Sequence, residues 1–302
     1  MNLLFGINGN ALLSVGIVIE SLPGFSSEEN HRLIEVILMA GPTIRQLTVV
    51  KTERITPNMQ RVTLGGDDLA DFPEGQESGY IKLLFPREPA DQPAEPDAKA
   101  LRPIMRTYTI RAFNLAAREL VVDLVLHGEG EDAGPASGWA RHTQPGDTLS
   151  IAGPGPTKLV NNEADWFLIA GDMTALPAIS CNLEQLPATA RGYAVIEIID
   201  EADKQALTVP AGIDIRWVIN PHPDQPSTVL ADAVRAVPWQ EGRVSAWVAC
   251  EFSTMRNLRE YLKRDREVGR GDFYISSYWK IGRSEDQHKA DKREDADAQP
   301  AG

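Results

Sequence analysis

Arg106-Thr107-Tyr108-Thr109-Ile110-Arg111 is the stretch on which the reading of this chain turns. Side chains alternate across an extended strand, so Arg106, Tyr108 and Ile110 share one face and Thr107, Thr109 and Arg111 the other. A guanidinium forks onto phosphate oxygens. A tyrosine ring lies against a flat ring system, and a threonine hydroxyl reaches a ring nitrogen. A flat, anionic cofactor such as FAD uses these groups. Taken alone, the same residues also describe an ordinary half-buried strand with exposed arginines. The surrounding motifs have to separate the two.

Working outward, residues 47–50, 60–64, 80–85, 106–111, 120–126 and 148–151 are short and β-rich, punctuated by Gly, Pro and Asp. Gly65-Gly66-Asp67-Asp68 reads as a turn and the proline-rich stretch 86–103 as a surface loop. This spacing predicts a small six-stranded antiparallel barrel. Between its last two strands, Gly134-Pro135-Ala136-Ser137 reads as a helix start with Trp139 on the first turns. The N–H groups and positive dipole end of such a helix suit a pyrophosphate; a plain connecting helix is the other reading.

After residue 162 the pattern changes. Strands at 166–170, 193–199, 213–219, 244–249 and 273–276 alternate with helices at 175–186, 227–237 and 252–264. Alternation of this kind predicts a doubly wound parallel sheet, an α/β domain following the β domain. Gly171-Asp172-Met173-Thr174 and Cys250-Glu251 then fall at the carboxyl ends of strands, where such sheets bind nucleotides. GxGxxG is not present at either place, so turns would hold a dinucleotide. Asp200 and Glu201 close a strand where an acid could hold a ribose hydroxyl, which favours NADH; Lys204 could instead meet a 2′-phosphate.

The bulk numbers narrow the function class. The chain has 302 residues, 42% hydrophobic and 24% charged, enough for two modest domains. A net charge of -13 argues against nucleic acid or an anionic membrane surface as the main partner. Two cysteines, Cys181 and Cys250, are too few for a disulfide framework and fit a reducing cytoplasm. No Cys/His cluster has metal-ligand spacing. The apolar start of residues 1–40 is broken by Gly6, Gly9 and Gly16, falls short of a membrane span, and has no Lys or Arg before Arg32. It reads as an extension outside the fold, a docking helix being the alternative. Residues 284–302 are charged with no apolar face and are expected to be a disordered tail.

Five motifs occur in order. They are Arg106 to Arg111; His127-Gly128; Gly134-Pro135-Ala136-Ser137-x-Trp139-Ala140; Gly171-Asp172-x-Thr174-Ala175-Leu176-Pro177-Ala178-Ile179; and Ser277-Tyr278-Trp279-Lys280-x-Gly282. Together, over about residues 43–285, the chain resembles the siderophore-interacting proteins, FAD-dependent ferric-siderophore reductases of ferredoxin-reductase-like fold. The resemblance implies an FAD-binding barrel at 41–156 and an NAD(P)H-binding domain at 163–283. FAD contacts are implied at Arg106, Tyr108, Thr109, Arg111, His127, Ala136, Ser137 and Trp139. NADPH or NADH is implied at Gly171, Asp172, Thr174, Cys250 and Glu251, with reduced ferredoxin a third donor. Lys82 projects from a strand that the resemblance places beside the flavin, and Lys280 and Arg283 follow the last strand. These three are the expected contacts to a ferric siderophore.

Four departures from the family pattern bear on the substrate. Glu129 to Asp132 lengthen a loop, Gly138 stands where relatives often carry an arginine, Cys250 replaces a small residue and Ser277 a glycine. The missing arginine shifts the expected preference toward hydroxamate-type chelates. Electron transfer through a flavin requires no triad or paired carboxylates, and the sequence offers neither. A siderophore-binding protein without turnover is the competing class. A monomer without membrane insertion is the expected state.

Overall fold

Burial alternates with period two along β1 (Ile44–Thr56), where Arg45, Leu47 and Val49 point inward and Ile44, Gln46 and Thr48 outward. That alternation marks a sheet with one face on a core. The computed structural model describes residues 43–86, 103–128, 130 and 133–298. With β2 (Met59–Gly65), β3 (Tyr80–Phe85), β4 (Ile104–Thr109), β5 (Ala112–Asn114), β6 (Glu119–Val125) and β7 (Thr148–Gly155), β1 builds a seven-stranded sheet. Its order is β4-β3-β7-β1-β2-β6-β5, all pairs antiparallel.

The first and last strands of that order are consecutive in sequence. Only Ile110 and Arg111 separate β4 from β5, and the Arg111 N–H donates to Val121 O at 2.9 Å. One bent stretch of chain thus closes the sheet into a barrel. This explains the seventh strand against the six expected: β5 continues β4 past the bend. Leu47, Val62, Leu64, Ile81, Leu83, Ile110, Leu120 and Val122 are among the fully buried residues of the interior.

The second sheet has the order β10-β9-β8-β11-β12 and is parallel throughout. Its strands are β8 (Trp166–Gly171), β9 (Arg191–Ile198), β10 (Gly212–Ile219), β11 (Val244–Glu251) and β12 (Phe273–Trp279). Every residue of β8 and β11 is buried, as expected for central strands covered on both faces. Phe167 and Ile169 pack with α2 (Leu176–Glu184) on one face. Trp166, Leu168 and Ala170 pack with α3 (Val229–Arg235) and α4 (Phe252–Glu260) on the other. The shorter α1 (Pro135–His142) lies between β6 and β7, and a π-helical turn, Tyr261–Asp265, ends α4.

Polar contacts join the two halves at several places. The buried Asp203 carboxylate accepts from Thr56 Oγ1 at 2.8 Å, Asn58 N at 2.9 Å and Asn58 Nδ2 at 2.8 Å. Trp247 Nε1 donates to Lys158 O at 2.9 Å. Arg111 forks onto Glu184 of α2 at 2.5 and 3.1 Å.

One expectation is overturned. Instead of a disordered tail from 284, the chain forms α5 (Glu285–Asp297). Ser284 and Gln287 make a reciprocal capping box at its start, and Asp295 pairs with Arg256 and Arg259 of α4. A helix without an apolar face holds here because ionic partners on other elements replace hydrophobic docking. The extension at 1–40 and most of the 86–103 loop lie outside the described residues.

Candidate functional site

On β4, Arg106 lies opposite Leu83 and Tyr108 opposite Ile81, so both belong to the inward-facing set. Arg106 donates to Met105 O at 2.9 Å; among the described residues no carboxylate pairs with it. Tyr108 is half-buried against the barrel core, and burial pushes its phenol well above the ordinary tyrosine value. Thr109 is buried beside it. Arg111 points the other way and is held by Glu184, so the structure assigns it to the joint between domains rather than to the Arg106 side.

The helix α1 starts at Gly134, with no side-chain cap and Pro135 in its first turn. Its first intrahelical bond is Gly138 N–H to Gly134 O at 2.9 Å, which leaves the Ala136 and Ser137 N–H groups ahead of the ladder. The Ser137 hydroxyl is already engaged, donating to His127 O at 2.8 Å and accepting from His127 N at 3.0 Å. A Cβ at Gly134 would come within 3.2 Å of the His127 ring, so this approach favours glycine. Burial, then the charges of Arg141 and Arg106, hold the His127 imidazole below its ordinary value. Arg141 donates from Nη2 to Gly128 O at 2.9 Å, while its buried Nε has no partner among the described residues. Two guanidinia and a helix N-terminus thus surround His127. Trp139 is half-buried, edge-on to Phe85 at 6.1 Å, and contributes packing.

In the α/β domain, Asp172 is the hub. Its Oδ2 accepts from Trp279 Nε1 at 2.8 Å and Glu251 N at 2.9 Å; its Oδ1 accepts from Thr174 N at 2.9 Å and Thr174 Oγ1 at 2.5 Å. Burial raises its carboxyl despite these donors. Gly171 is required by packing: a Cβ there would lie 2.4 Å from Ala249 O and 2.9 Å from Ala175 Cβ. Glu251 caps α4, accepting from Ser253 N at 2.5 Å and Thr254 N at 3.2 Å. The Cys250 side chain faces the core at 1% exposure, and burial drives its thiol well above the ordinary value. The structure therefore does not bring the Cys250 thiol into the cleft. A cavity of about 360 Å³ is lined by Glu251 with Pro226, Ser227, Thr228, Ser253 and Asn257 among its neighbours, four of the lining side chains bearing hydroxyls. Lys204 pairs with Glu201, and the Asp200 carboxylate caps the Glu201–Asp203 turn.

The three cations expected to meet substrate converge on α5. Lys82 Nζ donates to Thr107 Oγ1 at 3.0 Å and lies 3.6 Å from Glu285. Lys280 and Arg283 both reach Asp291, at 2.8 and 3.2 Å.

Two family models match this chain: the siderophore-interacting FAD-binding domain over residues 48–158 and the siderophore-interacting protein over residues 164–282. The ferric vibriobactin reductase ViuB of Vibrio cholerae is 35% identical, covering 82% of this chain and 93% of its own. The chain belongs to the siderophore-interacting protein family. A crystal structure of the siderophore-interacting protein SipS from Aeromonas hydrophila superposes with a TM-score of 0.73 at 35% identity, covering 85% of this chain and 99% of that one. The NADPH-dependent ferric-chelate reductase of Escherichia coli is 30% identical over 71% of this chain and 84% of its own.

As a siderophore-interacting protein, the chain carries FAD on its barrel. The pocket fits that group: among the described residues Arg106 has no carboxylate partner, the buried Arg141 Nε has no hydrogen-bond partner, and the Ala136 and Ser137 N–H groups precede the first intrahelical bond of α1. Arg141 was missed in the sequence. Its signal was its place in the last turn of α1, where a side chain can return along the helix toward Gly128.

Proposed function

We propose that this protein reduces ferric siderophores, with electrons passing from NADPH or NADH through FAD to Fe(III). The observation that carries the reading is the two-sided use of β4. Arg106 and Tyr108 share the face of β4 that carries Leu83 and Ile81, with the Arg106 charge acting on His127 beside α1, while the intervening Thr107 meets Lys82 on the opposite face. A redox cofactor and an anionic chelate can then lie on either side of one strand.

Arg106, Arg141 and the N–H groups of Ala136 and Ser137 hold the pyrophosphate, and Tyr108 flanks the ring system. FAD supplies the conversion of a two-electron hydride into the single electrons that Fe(III) accepts. One NAD(P)H therefore reduces two ferric chelates, giving NAD(P)⁺, one proton and two Fe(II). Lys82, Lys280 and Arg283 bind the chelate, and hard oxygen donors hold the softer Fe(II) less well, so iron leaves. Asp172, fixed by Trp279 and Glu251, orders the turns that receive the nicotinamide nucleotide. Lys204, the lysine that could meet a 2′-phosphate, sits in an exposed pair with Glu201 that a phosphate can displace, and the E. coli relative's name carries NADPH. Bleaching of the flavin absorbance by each nucleotide in turn, followed by stopped flow, tests the donor; a tenfold rate ratio corresponds to about 1.4 kcal/mol.

A further inference from the structure

The helix α5 brings its own anions to the cations assigned to the substrate. Glu285, its first residue, sits on the free edge of β4: Oε2 accepts from Thr107 N at 2.9 Å and Oε1 from Thr107 Oγ1 at 2.8 Å. The same carboxylate pairs with Lys82 at 3.6 Å and Lys289 at 2.8 Å. Further along the helix, Asp291 takes Lys280 and Arg283. All three cations are therefore neutralised by two carboxylates of one helix.

The attachment of α5 is polar. His288 is its one fully buried residue, with Nε2 bonded to Ser277 Oγ at 2.8 Å, and Lys292 donates to Ser276 Oγ and Ser277 O at 3.0 Å each. The carboxylates are 13–15% exposed and their cations 26–45%, so the pairs stay within reach of solvent, and such pairs weaken with salt and yield to a competing polyanion.

We propose that Glu285 and Asp291 set the charge preference of the site, acting as internal anions that a polyanionic ferric chelate must displace and an uncharged one need not. This rests on the functional reading above and names its substrate class: trihydroxamate-type chelates of low charge are favoured over tris-catecholates. With a net charge of -13, the protein also gives a trianionic chelate no long-range attraction to offset the displacement.

The test uses the oxidised holoprotein and redox-inert gallium(III) complexes of a tris-catecholate and of an uncharged trihydroxamate, with affinity read by calorimetry. Ferric forms of the same chelates give KM and kcat. Glu285→Gln, Asp291→Asn and the double variant are compared with Glu294→Gln, which removes an exposed charge from the same helix. The double variant should bind the trianionic complex about tenfold more tightly, with KM falling in parallel and kcat unchanged; the uncharged complex should change less than about twofold. Raised salt should narrow the gap between the wild type and the double variant. Equal shifts for both complexes, or no shift with either, overturn the proposal and leave the functional reading standing. Failure of the wild type and every variant to bind either complex overturns both.

Discussion

Arg111 grips Glu184 with both ends of its guanidinium, at 2.5 and 3.1 Å, across the joint between barrel and α/β domain. Five residues upstream, Arg106 has no such partner among the described residues. The two arginines of one motif should therefore separate experimentally. Arg106→Ala should lower FAD affinity by about 1.5–3 kcal/mol, the range for a charged hydrogen bond. Arg111→Ala should keep FAD and lose under about 1 kcal/mol of stability, since the pair is partly exposed. FAD titration and thermal melts of both variants check this; equal FAD loss in both would remove the distinction.

Asp203 is fully buried and receives four donors, from Thr56, Asn58 twice, and the Asp200 N–H at 3.0 Å. Asp203→Ala strands these donors and should cost about 3 kcal/mol, because a broken buried network leaves its partners desolvated. Urea unfolding should show a lower midpoint, and Asp203→Asn should recover part of the loss.

Burial raises the Glu197 carboxyl from the ordinary value of 4.5 to about 7, with Asp172 and Glu251 adding to it and the 3.0 Å bond from Asn220 opposing. The folded chain thus holds a proton that the unfolded chain releases earlier. The associated stability is complete below pH 4.5 and is lost as pH rises through about 7. The loss is on the order of 3 kcal/mol at one unit per 1.4 kcal/mol. Glu197→Gln should flatten this slope, gaining several degrees in Tm over the wild type at pH 8 relative to pH 4.5. Parallel pH profiles of the two proteins would contradict the assignment.

Trp279 ties the end of β12 to Asp172. Trp279→Phe removes that donor from a buried carboxylate and should cost about 1.5–3 kcal/mol. Flavin reduction by the nicotinamide nucleotide should slow while FAD affinity stays constant. Rapid mixing with NADPH and NADH reads the first and FAD titration the second.

The sheet domains were legible because their signals are local. Period-two burial in β1, the continuous apolar run of β8 and the run from Ala246 to Cys250 in β11 are written into consecutive residues. Arg106 and Tyr108 could be placed on one face by counting. Arg111 could not be assigned its partner, since Glu184 lies 73 residues away on another domain. Cys250 occupies the strand end that the pattern required, but the direction of its thiol depends on the packing of α4. The tail was misread for a related reason. Ser284 and Gln287 carried a capping-box signal, and Glu285 and Lys289 an i,i+4 pair, but the partners that hold α5 lie on β3, β4, α4 and β12.

The central claim is that electrons leave this protein for iron. The most direct measurement is anaerobic: the holoprotein is bleached with one equivalent of nucleotide, a ferric trihydroxamate is added, and flavin absorbance and trapped Fe(II) are followed together. Full recovery of the oxidised flavin spectrum with two Fe(II) formed per flavin is the predicted result. A flavin that stays bleached while the chelate binds would contradict the account and make the protein a carrier that never turns over.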